Sequence, residues 1–349
     1  MGKYSVDVAC EKDNGDLLNF SSHTMPGMMS LGYDLHGNYF LGTSMHGQKV
    51  FTIVGRHEGN GIVGKGLFSV REGYVRGKVA KVGYMGGLHV MESHRDPRLI
   101  LQGYKKMGEL AKEYCDVCFT TVVSNNTSAI SFFEKQHRGM PAYLFQDEMT
   151  TYALAHKSKS LHKNVEFGLQ NNELSDFIAC YGLTRDGFHA NIALDNLESD
   201  GLSLDNFLVY RDKGEVSGIL GLWRQPHRDL FVESYSSLGS FFSFGWNMFV
   251  SPFGYPKLSK AGDAIPLVYG SFLLTKHDDL QIASSLISSA RASINCDETF
   301  LIGLCQRDPL NKVFRKLPKY AYSSRVYQVG SSNVVELGDR PIRLEVATI

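Results

Sequence analysis

The chain has 349 residues, of which 43% are hydrophobic and 21% charged, a composition typical of a globular protein long enough for two domains. Its 36 basic and 36 acidic side chains give zero formal net charge, so nothing favours nucleic acid as a partner. The longest mostly apolar run, near Ile265–Leu274, is too short to span a bilayer, and the N-terminus lacks a signal-peptide pattern. We therefore expect a cytoplasmic protein without a membrane partner.

Alternating and β-branched residues in the first half of the chain predict a series of strands with helices between them. The predicted strands are Tyr4–Cys10, Lys49–Val54, Gly61–Val70, Tyr74–Val90 and Asp116–Val123, with a closing pair at Tyr143–Phe145 and Met149–Leu154. The predicted helices are Glu11–Met25, broken at Gly15, then Arg98–Lys112, and a helix that begins at Asn126.

The polar and basic stretch His156–Asn164 contains one apolar residue and predicts a linker between two domains. We therefore divide the chain into residues 1–155, a linker at residues 156–164, and residues 165–349. The second domain repeats the order of elements in the first. Its predicted strands are Asn206–Tyr210, Gly218–Arg224, Leu230–Ser237, Ile265–Leu274 and Thr299–Cys305, and its predicted helices are Leu174–Tyr181, Gln281–Ile294 and Pro309–Lys316.

Three segments of the first half recur, in the same order, in the second half. The aligned pairs are Gly86–Asp96 with Tyr269–Asp279, Cys118–Lys135 with Thr299–Lys316, and Pro141-x-Tyr143 with Pro318-x-Tyr320. The first alignment places Gly87 opposite Gly270, and the second places Asn126 opposite Arg307. Because the offsets shift by only a few residues, the alignments predict one duplicated unit with short insertions and deletions.

Six cysteines lie mostly in apolar or strand-like sequence, which predicts buried, reduced thiols. Cys115 and Cys118 form a C-x-x-C pair, but the chain has no second such pair, and these two lie where a helix gives way to a strand. We therefore expect no metal site.

The segment Asn126–Lys135 carries the pattern N-x-x-A-x-x-F-F-E-K. It resembles a helix of the GNAT superfamily of N-acetyltransferases, where the second aromatic is usually tyrosine rather than Phe133. The resemblance covers roughly Lys81–Leu154 well and the second half faintly. It implies an α/β (α+β) fold of two tandem GNAT-like domains, each a mixed, mostly antiparallel sheet flanked by helices.

The resemblance also implies a cleft for acetyl-CoA or another acyl-CoA in the first domain. The strand end Leu88-His89-Val90 is similar to the family strand whose backbone amides hold the pantetheine and polarise the thioester carbonyl, a task for fixed donors at a bulge. Arg95 fits the basic residue that opens the family's pyrophosphate loop. Arg98 and Ile100 stand where the family has glycines, so an arginine side chain would replace part of the backbone cradle. The remaining residues implied to contact the co-substrate are Asn126 and Phe133.

The resemblance also implies catalytic residues, although the side chains at these positions depart from the family pattern. Phenylalanine at position 133 cannot protonate a leaving thiolate, so Tyr143 is the substitute on the next strand. Tyr84 occupies the position of a general base, where an ordinary tyrosine pKa near 10 suits a water relay better than direct proton abstraction. His89 titrates nearer neutrality. Packing or helix capping is the alternative interpretation for Tyr84, His89, Asn126 and Phe133.

The leading hypothesis is an N-acyltransferase in which a primary amine of a small molecule or peptide attacks the thioester directly. The alternative is a catalytically silent GNAT-like protein that binds a ligand or partner, and a homodimer is compatible with either. A further hypothesis concerns Leu230–Tyr255, which holds nine aromatic residues. This stretch would form either the wall of a long acyl-chain site or a buried strand pair at the interface between the halves.

Overall fold

The computed structural model describes residues 4–20, 29–135, 140–157, 160–190, 200–236, 239, 243–330, 335 and 337–349. Sixteen strands lie in these residues, and their bounds in chain order are β1 Tyr4–Val8, β2 Met29–Asp34, β3 Lys49–His57, β4 Gly61–Val75, β5 Lys78–Val90, β6 Val117–Val123, β7 Tyr143–Ala155, β8 Val165–Phe167, β9 Phe188–Ala190, β10 Phe207–Asp212, β11 Glu215–Trp223, β12 Asp229–Tyr235, β13 Leu267–Thr275, β14 Thr299–Cys305, β15 Tyr320–Val329 and β16 Ile342–Leu344.

The α-helices are fewer than the strands in this part of the chain. They are α1 Asn14–Asn19, α2 Tyr39–Thr43, α3 Pro97–Tyr114, α4 Thr127–Glu134, α5 Asn171–Thr184 and α6 Leu280–Ser293. The predicted helix at Pro309–Lys316 is a 3₁₀ helix, Pro309–Phe314. A helical segment at residues 243–253 includes the π-turn Trp246–Val250.

Twelve strands form one continuous sheet in the order β1-β3-β4-β5-β6-β15-β7-β14-β13-β11-β10-β8, with β9 and β16 attached at its side and β2–β12 as a separate ribbon. Along this order the neighbours are antiparallel except for β5–β6 and β13–β14. The prediction of a mixed, mostly antiparallel sheet with flanking helices is therefore confirmed. The predicted closing pair at residues 143–145 and 149–154 is instead the single strand β7.

The two halves of the chain exchange strands. β7 follows α4 in sequence but pairs with β14, whereas β15 follows the 3₁₀ helix of the second half and pairs with β6. β7 and β15 also pair with each other at the centre of the sheet. Each half is therefore completed by a strand from the other half, and the division at residues 156–164 remains a proposal based on sequence.

Each half contains a bulge on the strand that begins its parallel pair. The register between β4 and β5 shifts at Gly87 and Leu88, which are not paired one-to-one with residues of β4. The register between β11 and β13 shifts in the same way at Phe272 and Leu273. Gly87 has φ +61° and Phe272 has φ +56°. The structural equivalent of Gly87 is thus Phe272, two residues beyond the Gly270 given by the sequence alignment.

The N-caps of the helices that begin at Thr127 and Pro309 also depart from the sequence alignment. Asn126 accepts a hydrogen bond from the Ala129 N–H, and Asp308 accepts one from the Leu310 N–H. The equivalent of Asn126 is therefore Asp308, one residue beyond the Arg307 of the alignment. The order of elements repeats between the two halves, but the sequence alignment is shifted by one or two residues at these positions.

Other expectations about side chains and segments need correction. Cys10, Cys180 and Cys296 are exposed rather than buried, and all six cysteines are free. Leu230–Tyr255 forms only one strand, β12, which pairs with β2 of the first half. The remainder includes the largely exposed helical segment at residues 243–253, and residues 237–238 and 240–242 lie outside the described part.

The strand exchange predicts that the two halves unfold together. Leu154 on β7 is fully buried and packs in a cluster with residues of the second half such as Phe300 and Leu286. Leu154→Ala should lower the free energy of unfolding by about 2 to 5 kcal/mol in a single transition. Urea denaturation followed by circular dichroism and tryptophan fluorescence measures this. Leu161→Ala, on an exposed side chain, is the control, and two separate transitions would contradict the shared sheet.

Candidate functional site

The parallel strands β5 and β6 separate shortly after they meet. They pair only at Val82–Tyr84 of β5 and Val117–Phe119 of β6, while β5 continues to Val90. From Met85 onward, no strand in the described residues pairs with the edge of β5 that faces away from β4, so main-chain groups of this edge lack ladder partners that a ligand could replace. A cavity of about 1430 Å³ lies at this opening, and we call it the first cleft.

The first cleft brings together most of the side chains predicted for the co-substrate. Its lining includes Leu88, His89, Val90, Arg95, Asn126 and Phe133. Leu88 lies in the bulge and is 46% exposed, so the backbone there is accessible from the cleft. Ile100, Tyr104 and Phe132 add an apolar wall from α3 and α4.

Glycine is required before the bulge for steric and conformational reasons. A Cβ at Gly86 would lie 2.7 Å from the Tyr84 hydroxyl oxygen, and Gly87 has a left-handed backbone. The sequence Gly86-Gly87 thus allows the strand to bend beside a packed tyrosine.

The two arginines predicted to hold the pyrophosphate occupy different positions. Arg95 is exposed, lines the first cleft, and forms no ion pair with any described residue. Arg98 does not line the cleft; its side chain is 86% exposed and pairs with Asp96 at 2.9 Å. The Asp96 carboxylate also caps α3 by accepting the Arg98 N–H at 2.8 Å. A carboxylate therefore occupies the helix start, where the resemblance implied a phosphate cradle.

The predicted catalytic tyrosines lie behind the cleft surface. Tyr143 is buried and stacks on Phe133 with ring centroids 4.2 Å apart, and burial raises the pKa of Tyr143. The hydroxyl of Tyr84 lies 3.2 Å from Thr121 Oγ1, and burial raises the pKa of Tyr84 as well. Neither residue is among those that line the first cleft, whereas Tyr104 is.

His89 reaches the cleft beside a lysine that the sequence did not single out. The His89 ring meets the Phe20 ring edge-to-face at 5.1 Å. Lys65 lies directly opposite His89 on β4, and its Nζ lies 5.0 Å from the centre of the Tyr39 ring and 5.8 Å from that of Phe20. Burial lowers the pKa of Lys65 to about 8. A lysine within an apolar strand was the available sequence signal.

The second half has the corresponding opening, but the C-terminal segment fills it. β13 and β14 pair only at Leu267–Tyr269 and Thr299–Leu301, and β16 with the turn Val346–Thr348 packs against them. The Phe272 N–H donates to Glu345 Oε1 at 3.1 Å. The Glu345 carboxyl group thus accepts a hydrogen bond at the Phe272 bulge, which is equivalent to the Gly87 bulge of the first half.

Charged side chains of the second half also form ion pairs with the C-terminal segment. Arg343 is buried and pairs with Asp278 at 2.9 Å and with Asp308 at 2.6 Å. Asp308 is the helix cap equivalent to Asn126. The side chains that would face a co-substrate in the second half are therefore engaged with one another.

Lys65 offers a test of the electrostatics beside the first cleft. Lys65→Met should raise the free energy of unfolding at neutral pH by about 1 to 3 kcal/mol, because it removes a buried charge whose cost exceeds its contact with the aromatic rings. The unfolded chain stays protonated up to about pH 10.5, whereas the folded protein loses this proton near pH 8. The gain should therefore shrink above pH 8, as urea denaturation across that range measures. Lys78→Met is the exposed control, and a pH-independent gain would contradict the buried charge.

Glu345 offers a test with the opposite sign. Burial raises its pKa from 4.5 to about 7, opposed by the Phe272 N–H and by Arg71. Between those values the folded protein holds a proton that the unfolded chain releases, so stability falls as the pH rises. Glu345→Gln keeps a neutral acceptor and should exceed the natural protein in stability above pH 7, by about 1 to 3 kcal/mol, but not near pH 5. Denaturation at both values, with Glu58→Gln as the exposed control, decides this; an equal difference at both would exclude a titrating Glu345.

No family model and no curated protein matches the sequence, whereas many solved structures match the fold. Saccharomyces cerevisiae N-myristoyltransferase with bound myristoyl-CoA superposes with a TM-score of 0.60 at 11% identity, over 99% of this chain and 90% of that one. A proposed acetyltransferase from Pyrococcus horikoshii gives 0.56 at 12% identity, over 98% and 94%. A fungal GCN5-related glucosamine N-acetyltransferase region gives 0.57 at 13% identity, over 94% of this chain and 38% of that one. The chain therefore has the fold of the GNAT superfamily of N-acetyltransferases.

Proposed function

We propose that the protein is an acyl-CoA-dependent N-acyltransferase that works in the first cleft. The observation that carries this proposal is the open edge of β5 at the Gly87–Leu88 bulge, which borders the cavity of about 1430 Å³. Main-chain N–H groups fixed at such an edge suit the oxygen of a thioester carbonyl as negative charge develops there. The shared fold with acyltransferases gives coarser support, since one of them binds myristoyl-CoA.

The lining divides into parts that match the parts of an acyl-CoA. The pantetheine and thioester would lie along Leu88–Val90, and the acyl group would lie against Ile100 and Phe132. The diphosphate would approach Arg95, whose charge is not neutralised by a described acid. Arg98 has no part in this arrangement because Asp96 already neutralises it.

The reaction needs an amine nitrogen to attack the thioester carbon while the carbon–sulfur bond breaks. The ammonium form of the acceptor must first lose a proton. His89 and Glu92 are titratable groups that line the cleft, and Lys65 lies opposite His89 on β4. The thiolate that leaves the same carbon must gain a proton. Tyr104 lines the cavity and keeps a proton that it could donate because burial raises its pKa, whereas Phe133 has none to give.

We propose acetyl-CoA or a longer acyl-CoA as co-substrate and a primary amine of a small molecule or peptide as acceptor. The cavity exceeds the range of about 300 to 1,000 Å³ that is common for ligand pockets, which favours a ligand of CoA size. Among the described residues of Leu230–Tyr255, none lines the first cleft. Measuring the rates of acyl transfer from acetyl-CoA and from longer acyl-CoAs would show which co-substrate the protein prefers.

Calorimetry on Arg95→Ala tests the placement of the diphosphate. The variant should bind CoA about tenfold more weakly, because it loses a charge-assisted contact, and should bind pantetheine fragments without the diphosphate as before. Arg98→Ala is the matched control and should bind both ligands like the natural protein. Equal losses for CoA and the fragments, or a larger loss in Arg98→Ala, would contradict this placement.

A catalytically silent binding protein is the second candidate, favoured by the Asp96 carboxylate at the start of α3 and by Phe133 at the usual tyrosine position. A thiol-release assay against a broad panel of amines separates the two functions. Release of CoA with formation of an amide supports the transferase. Binding of acyl-CoA without release would leave only the silent function.

A further inference from the structure

A second surface, formed by residues that do not line the first cleft, combines exposed apolar side chains with positive charge that forms no ion pair with a described residue. In the helical segment at residues 243–253, Phe244, Met248, Phe249 and Phe253 are 71%, 57%, 64% and 77% exposed. All four lie within eleven residues of one short segment that combines α, π and 3₁₀ turns. Exposed apolar groups of this size in a contiguous set mark an interaction site more often than a free surface.

The other side of the segment is attached to the body of the protein. Trp246 Nε1 donates to the Pro256 carbonyl at 2.9 Å, and the Trp246 ring meets the Tyr320 ring edge-to-face at 6.4 Å. The Asn247 side chain exchanges two hydrogen bonds with the backbone of Leu258. These contacts fix which face points outward, so the exposed side chains form a defined surface.

Basic residues without acidic neighbours in sequence occur in and next to this segment. Residues 243–262 and 309–320 contain no aspartate or glutamate. The first acidic residue after residue 262 is Asp263. The basic residues there are Lys257, Lys260, Lys312, Arg315, Lys316 and Lys319. None of them forms an ion pair with a described residue, although the whole chain is neutral. The two stretches adjoin where Tyr320 contacts Trp246.

We propose that this apolar-basic surface, formed by residues 243–262 and 309–320, binds an anionic phospholipid membrane. Bulky apolar side chains exposed on a short helical segment insert into the boundary between headgroups and acyl chains, and lysines of the adjoining stretches are attracted to anionic headgroups. No helix in the described ranges has the length and hydropathy needed to cross a bilayer. The contact is therefore peripheral, and it revises the expectation that the protein has no membrane partner.

The chemistry of the surface favours a membrane over other occupants. A nucleic acid would satisfy the charges but leave four apolar side chains in water. A second copy related by a two-fold axis would bring the basic residues of both copies together. An anionic bilayer accommodates the aromatic face and the positive charge at once.

Sedimentation with vesicles tests the proposal. The full chain should bind vesicles of phosphatidylcholine with phosphatidylserine more tightly than vesicles of phosphatidylcholine alone, and added salt should weaken the difference. Lys257→Gln with Lys260→Gln should weaken binding to the anionic vesicles by about 25-fold, since each charge near the surface contributes about fivefold. Phe249→Ser with Phe253→Ser should weaken it by at least about tenfold.

Matched controls separate these effects from general changes in charge or hydrophobicity. Lys78→Gln with Lys81→Gln removes two exposed charges elsewhere, and Phe167→Ser removes an exposed phenylalanine elsewhere. Both should bind vesicles like the natural chain. Unchanged thermal unfolding in all variants shows that the fold is retained.

Three outcomes would overturn the proposal. One is the absence of binding to the anionic vesicles, and another is binding that all four variants retain equally. The third is a dimer, found by light scattering, that Phe249→Ser with Phe253→Ser dissolves, because the face would then join two copies. The test does not depend on acyl transfer, so its failure leaves the proposed function untouched.

Discussion

The fold depends on the pairing of β6 with β15. β6 leaves β5 after three residues, which would orphan its backbone groups if that were its only neighbour. Over Cys118–Val123, its other edge is instead paired along its length with β15. Because this ladder satisfies β6 from the far side, β5 can diverge and expose its edge. The opening that makes a site available is thus stabilised by a strand from the other half of the chain.

The two halves use the same architecture for different ends. Both have a bulge with a left-handed residue before the diverging strands, at Gly87 and at Phe272. In the first half the opening remains a cavity, whereas in the second Glu345 accepts the bulge N–H and Arg343 bridges Asp278 and Asp308. The Glu345 oxygen that accepts the Phe272 N–H illustrates how a ligand oxygen could be held at the equivalent bulge of the first half. The asymmetry arises from the C-terminal segment, which lies against β13 and β14.

Local sequence patterns predicted much of the fold and part of the candidate site. The helix at Asn126 and the strand Thr299–Cys305 follow from capping and alternation, which are local properties. Leu88–Val90 were implied by the family resemblance, and they lie in the lining of the first cleft. The repeat was misaligned because Phe272 takes a backbone conformation that sequence matching assigns to glycine. β15 was overlooked and the exchange of strands was not foreseen, since pairing partners far apart in sequence leave no local signal. Lys65, Tyr104 and Glu345 were missed for a related reason: what distinguishes them is burial, which depends on the whole fold.

The strand exchange has a consequence for how the protein is made. A ribosome releases the chain from its N-terminus, so β6 emerges long before Tyr320–Val329, the strand that completes its ladder. Until that strand arrives, the growing chain presents β6 and β7 as unpaired edges, the kind of template on which chains aggregate. The first half therefore cannot finish folding as an early, independent unit during synthesis. The same exchange that stabilises the open cleft in the finished protein leaves strand edges exposed on the nascent chain until the second half has been made.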